Sequence, residues 1–223
     1  IVNLYGVHPE KIFTTPIPYN NAFVREENRK KLEHVKELYG LPETFLLCVG
    51  HLEPRKNYER IIDAFDSLDQ DRHRNVALVI VGKPNLKWSK LLNKSRSGHK
   101  SKRIMFTGYV PDAYLPSIYS LARALVFPSL HEGFGIPLLE AMGCGLPIIT
   151  SSTTAMPEVV GDAGVLVNPQ SVSEIAGAID TVLSSEILRK DLVQKGKARL
   201  KIFSSKLAAS KLVDGYESIR KDL

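Results

Sequence analysis

Two short stretches of this sequence bring together residue types able to hold hydroxyl groups and an anion. The first is Pro128-Ser129-Leu130-His131-Glu132-Gly133-Phe134-Gly135-Ile136-Pro137-Leu138-Leu139-Glu140. Two glycines after an apolar run let a backbone approach a ligand closely, and Pro137 suits the first turn of a helix. The N-terminus of such a helix points its free amides at whatever sits there. Glu132 falls in the loop and Glu140 inside the expected helix, with seven residues between them. A carboxylate this near a helix start also stabilises the helix dipole by ~0.3–1 kcal/mol, so capping competes with ligand binding as the role of Glu140. An ionised carboxylate is acceptor-only, which matches a vicinal diol, while loop amides suit hydroxyl or phosphate oxygens.

The second stretch is Val49-Gly50-His51-Leu52-Glu53-Pro54-Arg55-Lys56-Asn57-Tyr58. Arg55 and Lys56 lie between the end of an apolar run and a helix that Asn57 is placed to cap, so cations and free amides converge on an anion such as a diphosphate. An adjacent Arg-Lys pair is in general a solvated surface pair. Its place at the carboxyl end of a strand raises the anion-site reading to equal standing. His51 reads as a polar strand-end residue without a catalytic role.

The elements that must position these residues follow from hydrophobic patterning. Apolar runs at 45–50, 76–82, 124–127, 146–150 and 165–167 are each followed by a turn signal, and most of them by helical spacing, as at Ile61 to Leu68, Leu86 to Ser95 and Ile136 to Met142. Near-continuous apolar strands alternating with helices specify a parallel sheet covered on both faces, so the expected fold class is α/β, a doubly wound, Rossmann-like sheet. Ligands of such sheets bind at the carboxyl edge, so the loops after Gly50, Gly82, Gly108 and Phe127 are expected to line one crevice. A short strand at Lys11 to Thr15 and a charged helix from Arg25 to Tyr39 are expected first, and covering helices at Val172 to Leu183, Ile187 to Leu200 and Leu207 to Ile219 last. The expected organisation is one domain over 1–223: an N-terminal lead-in to about 43, an α/β core over 44–168 and covering helices over 169–223.

Composition sets the outer bounds. With 223 residues, net charge +6, 43% hydrophobic and 24% charged residues, the chain is neither disordered nor fibrous. The apolar runs are far shorter than the roughly 20 residues of a membrane-spanning helix. Cys48 and Cys144 have no CxxC spacing, so zinc and dithiol chemistry are not expected, and reduced cysteines fit a cytoplasmic protein. The start at Ile1 without a leader reads as a fragment.

In the order they occur, Gly50…Arg55-Lys56-Asn57, Phe106-Thr107-Gly108-Tyr109-Val110, the Glu132-to-Glu140 motif with Gly133-Phe134-Gly135, and Pro157-Glu158-Val159-Val160-Gly161 resemble the donor-binding half of glycosyltransferase family 4. The resemblance runs from Lys11 through the final helices. It implies the C-terminal half of a GT-B architecture and a retaining transfer of a hexosyl group, mannose or glucose, from a GDP- or UDP-sugar to a glycan or lipid-linked acceptor. It further implies that Arg55 and Lys56 neutralise the donor diphosphate and that Glu140 binds ribose hydroxyls. Glu132 and the backbone of Gly133, Phe134, Gly135 and Ile136 then address sugar and phosphate. Gly50 belongs to the same donor pocket, and the backbone near Val110 meets the base. Two departures stand out: His51 replaces an arginine common in the family, and Gly82-Lys83-Pro84 lacks a glycine two positions after Gly82. The acceptor domain of a GT-B enzyme is absent from this chain, so the chain alone is expected to be inactive. A GT-B-type epimerase or phosphorylase, and a non-catalytic nucleotide-sugar-binding module, are the alternatives.

Asp69-Gln70-Asp71 matches the spacing of a metal-binding carboxylate pair but follows a helical run, so a solvated turn is expected and no metal or other cofactor is expected. There is neither a GxGxxG fingerprint nor a P-loop. Between Lys83 and Pro111 lie eight Lys or Arg residues and no Asp or Glu: Lys83, Lys87, Lys90, Lys94, Arg96, Lys100, Lys102 and Arg103. A solvated basic face and a patch for anionic lipid headgroups, hence peripheral membrane contact, are the two readings. Nucleic acid is not expected, because Trp88 alone interleaves the charges.

Overall fold

A single parallel sheet carries both motifs. The computed structural model describes residues 2–69, 71–83, 91, 93, 95 and 101–221. Among them the strands are β1 (Thr44–Val49), β2 (Val76–Val81), β3 (Ile104–Gly108), β4 (Ala124–Phe127), β5 (Ile148–Ser151) and β6 (Gly164–Val167), in the spatial order β3-β2-β1-β4-β5-β6. Every neighbouring pair is parallel, with Thr44 opposite Val76 and Leu46 opposite Ala124. The order reverses between β1 and β4. That switch point is where doubly wound sheets open a crevice beyond the strands' carboxyl ends.

Alternation along the strands separates two cores. Phe45, Leu47, Val49, Leu125 and Phe127 face one side, where they pack with Ile118, Tyr119, Leu138 and Leu139 of α4 (Leu115–Leu121) and α5 (Ile136–Gly143). Leu46, Cys48, Leu78, Ile80 and Val126 face the other, against Ile61 and Phe65 of α3 (Tyr58–Ser67) and Ile175 and Ile179 of α7 (Val172–Ser184). Strands buried on both faces need no polar alternation, which is why β1 and β2 read as unbroken apolar runs. Both cysteines are free and buried, and burial pushes the Cys144 thiol up to about 12, so it is inert.

Further helices among the described residues are α1 (Val2–Tyr5), α2 (Arg29–Tyr39), α6 (Met156–Val160), α8 (Glu186–Arg199) and α9 (Ser205–Lys221). The charged helix expected from Arg25 begins only at Arg29, because Asn28 caps it by accepting from the N–H groups of Lys30 and Lys31. The strand expected at Lys11 to Thr15 does not form. Pro9–Lys11 is a 3-10 turn, and the residues after it have no regular structure. Asp69 closes a turn by accepting from the Asp71 and Arg72 N–H groups, while Gln70 lies outside the described residues. Most of the basic run, Trp88 included, also lies outside them; of the helix expected from Leu86 to Ser95, Leu91, Asn93 and Ser95 are described and are helical. Arg103 departs from the solvated reading: its Nη1 donates to Val76 O at 2.9 Å and its guanidinium lies 5.4 Å from the Phe65 ring centre. No described helix is long and apolar enough to cross a membrane.

Candidate functional site

The loops after β1 and β4 are laced together at the switch point. The Leu130 N–H donates to Arg55 O at 2.7 Å. Asn57 Nδ2 donates to Pro128 O at 3.0 Å and to Pro169 O at 2.6 Å. Asn57 does precede α3, but its backbone is left-handed at φ 63° and its side chain makes no cap. The expected capping role is therefore replaced by a tie between loops, in a conformation that asparagine tolerates better than most residues.

This lacing brings three of the singled-out side chains into contact. Arg55 Nη1 and Lys56 Nζ each lie 2.7 Å from a different oxygen of Glu132. Glu53 takes Arg55 Nε at 2.7 Å. Lys56 is only 7% exposed and sits over the Phe127 ring at 4.3 Å. Burial holds its ammonium below the ordinary 10.5, and Glu132 opposes that shift. Glu132 Oε1 is buried, and its charge partner is the Lys56 ammonium. A third loop arrives through Thr154, whose Oγ1 accepts from the Glu132 N–H at 3.4 Å. Thr154 adopts φ 58°, a costly backbone for a β-branched residue and one that sequence patterning does not announce.

Glu140 lies one helix turn deeper. Its carboxylate accepts from Tyr119 Oη at 2.5 Å. Burial pushes the carboxyl above the ordinary 4.5; Tyr119 and Lys56 pull it down, while Asp112 adds to the rise. The side chain is thus spent on α4 in part, and it feels the charges of Lys56 and Asp112. Along the start of α5, none of the N–H groups of residues 133–136 finds an acceptor among the described residues. Gly135 takes φ 96°, and a Cβ on Gly133 would meet open space. The Phe134 ring packs edge-to-face on Phe203 at 5.8 Å, so only its backbone faces the site, and Ile136 is 53% exposed.

Beside this cluster, a cavity of about 220 Å³ opens beyond β1, β2 and β3. Gly50, His51, Gly82, Lys83, Tyr109 and Val110 contribute to its wall, as does Asp112. Three of the four loops expected to share a crevice line this cavity, while the loop after Phe127 does not contribute to its wall. Gly50 is the hinge point between the two regions. It takes φ 136°, and a Cβ there would come 2.9 Å from Lys56 Cε. Gly82 permits the close approach of the neighbouring strand end, since its Cβ would fall 2.0 Å from Gly50 O. Lys83 Nζ stands 4.5 Å over the Tyr109 ring and so roofs the cavity. Asp112 and Tyr119 were not singled out from sequence. Nothing in a short acidic loop or an apolar helix signals a partner supplied by another element. Among the described residues no cluster of His, Cys, Asp or Glu could hold a metal ion.

Residues 25–199 match the family model for glycosyl transferases group 1. The O-antigen chain mannosyltransferase B of Escherichia coli is 31% identical over 97% of this chain, and the chain spans 57% of that protein's length. The crystal structure of the C-terminal domain of LpcC, a glycosyl transferase group 1 family protein from Francisella tularensis, superposes with TM-score 0.69 and 27% identity, covering 81% of this chain and 94% of that domain. Anabaena HepE in complex with UDP and glucose superposes with TM-score 0.76 at 19% identity, over 91% of this chain and 55% of HepE.

Proposed function

This chain belongs to the glycosyl transferases group 1 family, and we propose that it is the donor-binding half of a retaining hexosyltransferase acting on a nucleotide-diphosphate sugar. One observation carries the reading: two cations, Arg55 and Lys56, meet one loop carboxylate at the switch point of the sheet, beside unpartnered helix-start amides and an adjoining cavity. Arg55, Lys56 and the amides of 133–136 hold the diphosphate, Glu140 accepts from the ribose diol, and the cavity bounded by Gly50 and Val110 takes the base. Glu132 addresses the sugar. In the reaction the bond from the anomeric carbon to the phosphate oxygen breaks. The acceptor hydroxyl oxygen bonds to that carbon and its proton passes to an oxygen of the leaving diphosphate. Negative charge grows on the leaving diphosphate, where Arg55 and Lys56 stabilise it more strongly than in the ground state. We assign no metal or other cofactor to this transfer.

Similarity to the O-antigen mannosyltransferase of Escherichia coli favours mannose as the sugar, and a saccharide or lipid-linked acceptor bound by further protein. Thermal-shift titration of the chain with UDP, GDP and ADP, with and without their sugars, tests the donor role. A saturable rise in the midpoint for one nucleoside diphosphate, lost in Lys56→Ala, is expected. No rise with any of them overturns it.

A further inference from the structure

We propose that the opposite pole of the sheet carries a second anion site, shaped for a phosphate-bearing ligand and independent of the donor reading. A cavity of about 430 Å³ opens at the amino ends of β4 and β5, where Arg123 precedes Ala124 and Pro147 precedes Ile148. Arg25, Arg123, Arg189 and Lys190 contribute to its wall, against a single acid, Glu186. Glu186 is already held 2.7 Å from Lys190. The other acid beside the cavity, Glu26, is held 2.6 Å from Lys31. Among the described residues no carboxylate is ion-paired with any of the three guanidinium groups, although the charge of Glu186 acts on Arg189 and Arg123.

Arg189 makes this a built site rather than a patch of surface charge. It is 8% exposed, and its Nη1 donates at 2.6 Å to both Val182 O and Leu183 O, the last carbonyls of α7. Those two bonds fix the plane of the fork and leave its other donors for a ligand. Burial, and then the charge of Arg123, hold Arg189 below its ordinary pKa, as expected of cations kept together against their repulsion. Arg25 is placed by its neighbour, since the Glu26 N–H donates to Ser120 Oγ at 2.9 Å. It is also placed by Gly145, whose left-handed turn at φ 66° would set a Cβ 3.6 Å from Arg25 Nη1. Ala122, Pro147 and Val193 supply an apolar wall for a carbon body. Planar forks match phosphate oxygens two at a time, and the volume falls in the range of small-molecule sites. A free organic phosphate and a phospholipid headgroup present the same chemistry.

The test follows backbone amide NMR shifts while the chain is titrated with inorganic pyrophosphate. Saturable shifts are expected at residues 120–123, 145–146 and 186–193. The exposed double variant Arg25→Ala/Arg123→Ala should weaken binding there at least tenfold while leaving shifts at residues 50–57 in place. Absence of saturable shifts at this pole, or equal affinity in the double variant, overturns the proposal. Co-sedimentation with phosphatidylglycerol vesicles assigns the source. Sedimentation lost in the double variant identifies a headgroup site, and pyrophosphate binding without sedimentation identifies a soluble phosphate.

Discussion

Lys56 illustrates how a single residue carries charge into a place that its type alone would avoid. Its stem runs past Gly50 and its ammonium sits between the Phe127 ring and Glu132. Lys56→Met keeps the stem and removes the charge while Arg55 still neutralises Glu132, so the variant is expected to lose less than about 2 kcal/mol of stability. Under the proposed function, the rate of sugar transfer is expected to fall about 10²–10³-fold, the effect of deleting one preorganised group that stabilises a leaving charge. Equal rates overturn the role. Glu140 carries a pH signature. Its carboxyl is raised above 4.5 by burial and lowered by the Tyr119 hydrogen bond. Nucleoside diphosphate affinity is therefore expected to fall, as pH drops, at a midpoint on the alkaline side of 4.5. Tyr119→Phe removes a lowering influence and moves that midpoint further up, measured by calorimetric titration across pH. The meeting of Arg55, Lys56 and Glu132 was legible because all three stand in loops that follow strand ends. Tyr119 was not, because its hydroxyl partner comes from another helix.

At the level of elements, close approach and loop ties set the site. Gly82→Ala drives a Cβ toward Gly50 O, a backbone atom that cannot swing aside. A loss of about 3 kcal/mol in chemical denaturation is expected, together with a loss of nucleotide affinity. Asn57→Ala leaves Pro128 O and Pro169 O without their donor and is expected to cost about 1–3 kcal/mol. The strands β1 and β2 were plain in the sequence because burial on both faces makes them continuous apolar runs. β3 was visible only as a motif: it is an edge strand whose residues are all half-buried, so its pattern lacks a continuous run. The segment at Lys11 to Thr15 misled for the opposite reason. Its β-branched residues fit a strand, but the sheet offers them no neighbour, and local preference without a partner does not make a strand.

For the molecule as a whole, the alternation of runs sufficed to give a doubly wound sheet, and topology then did what spacing alone could not. The motif at 55–56 and the motif at 132–140 are separated by three strands in sequence, yet the strands they follow, β1 and β4, are neighbours in the sheet. The chain spans 57% of the length of its Escherichia coli relative. We expect this length to bind nucleotide but to transfer no sugar to a saccharide acceptor unless the rest of such a protein is supplied, as followed by product chromatography. Acid stability depends on a tie between the turn before β2 and α7. Asp180 accepts at 2.6 Å from His73, and this contact, with Arg72, holds the carboxyl below its ordinary 3.8. The tie is at full strength above that value and is lost as pH falls through the lowered one. Asp180→Asn is thus expected to melt earlier than wild type near neutrality, and the gap closes in acid. One further consequence follows from the Arg55–Glu132–Lys56 arrangement. An incoming anion does not meet bare cations; it must evict a tenant. Occupancy then reports a contest between two anions, favouring visitors dense enough in charge to win both positions at once, and the displaced side chain is ready to reclaim its seat and hasten departure.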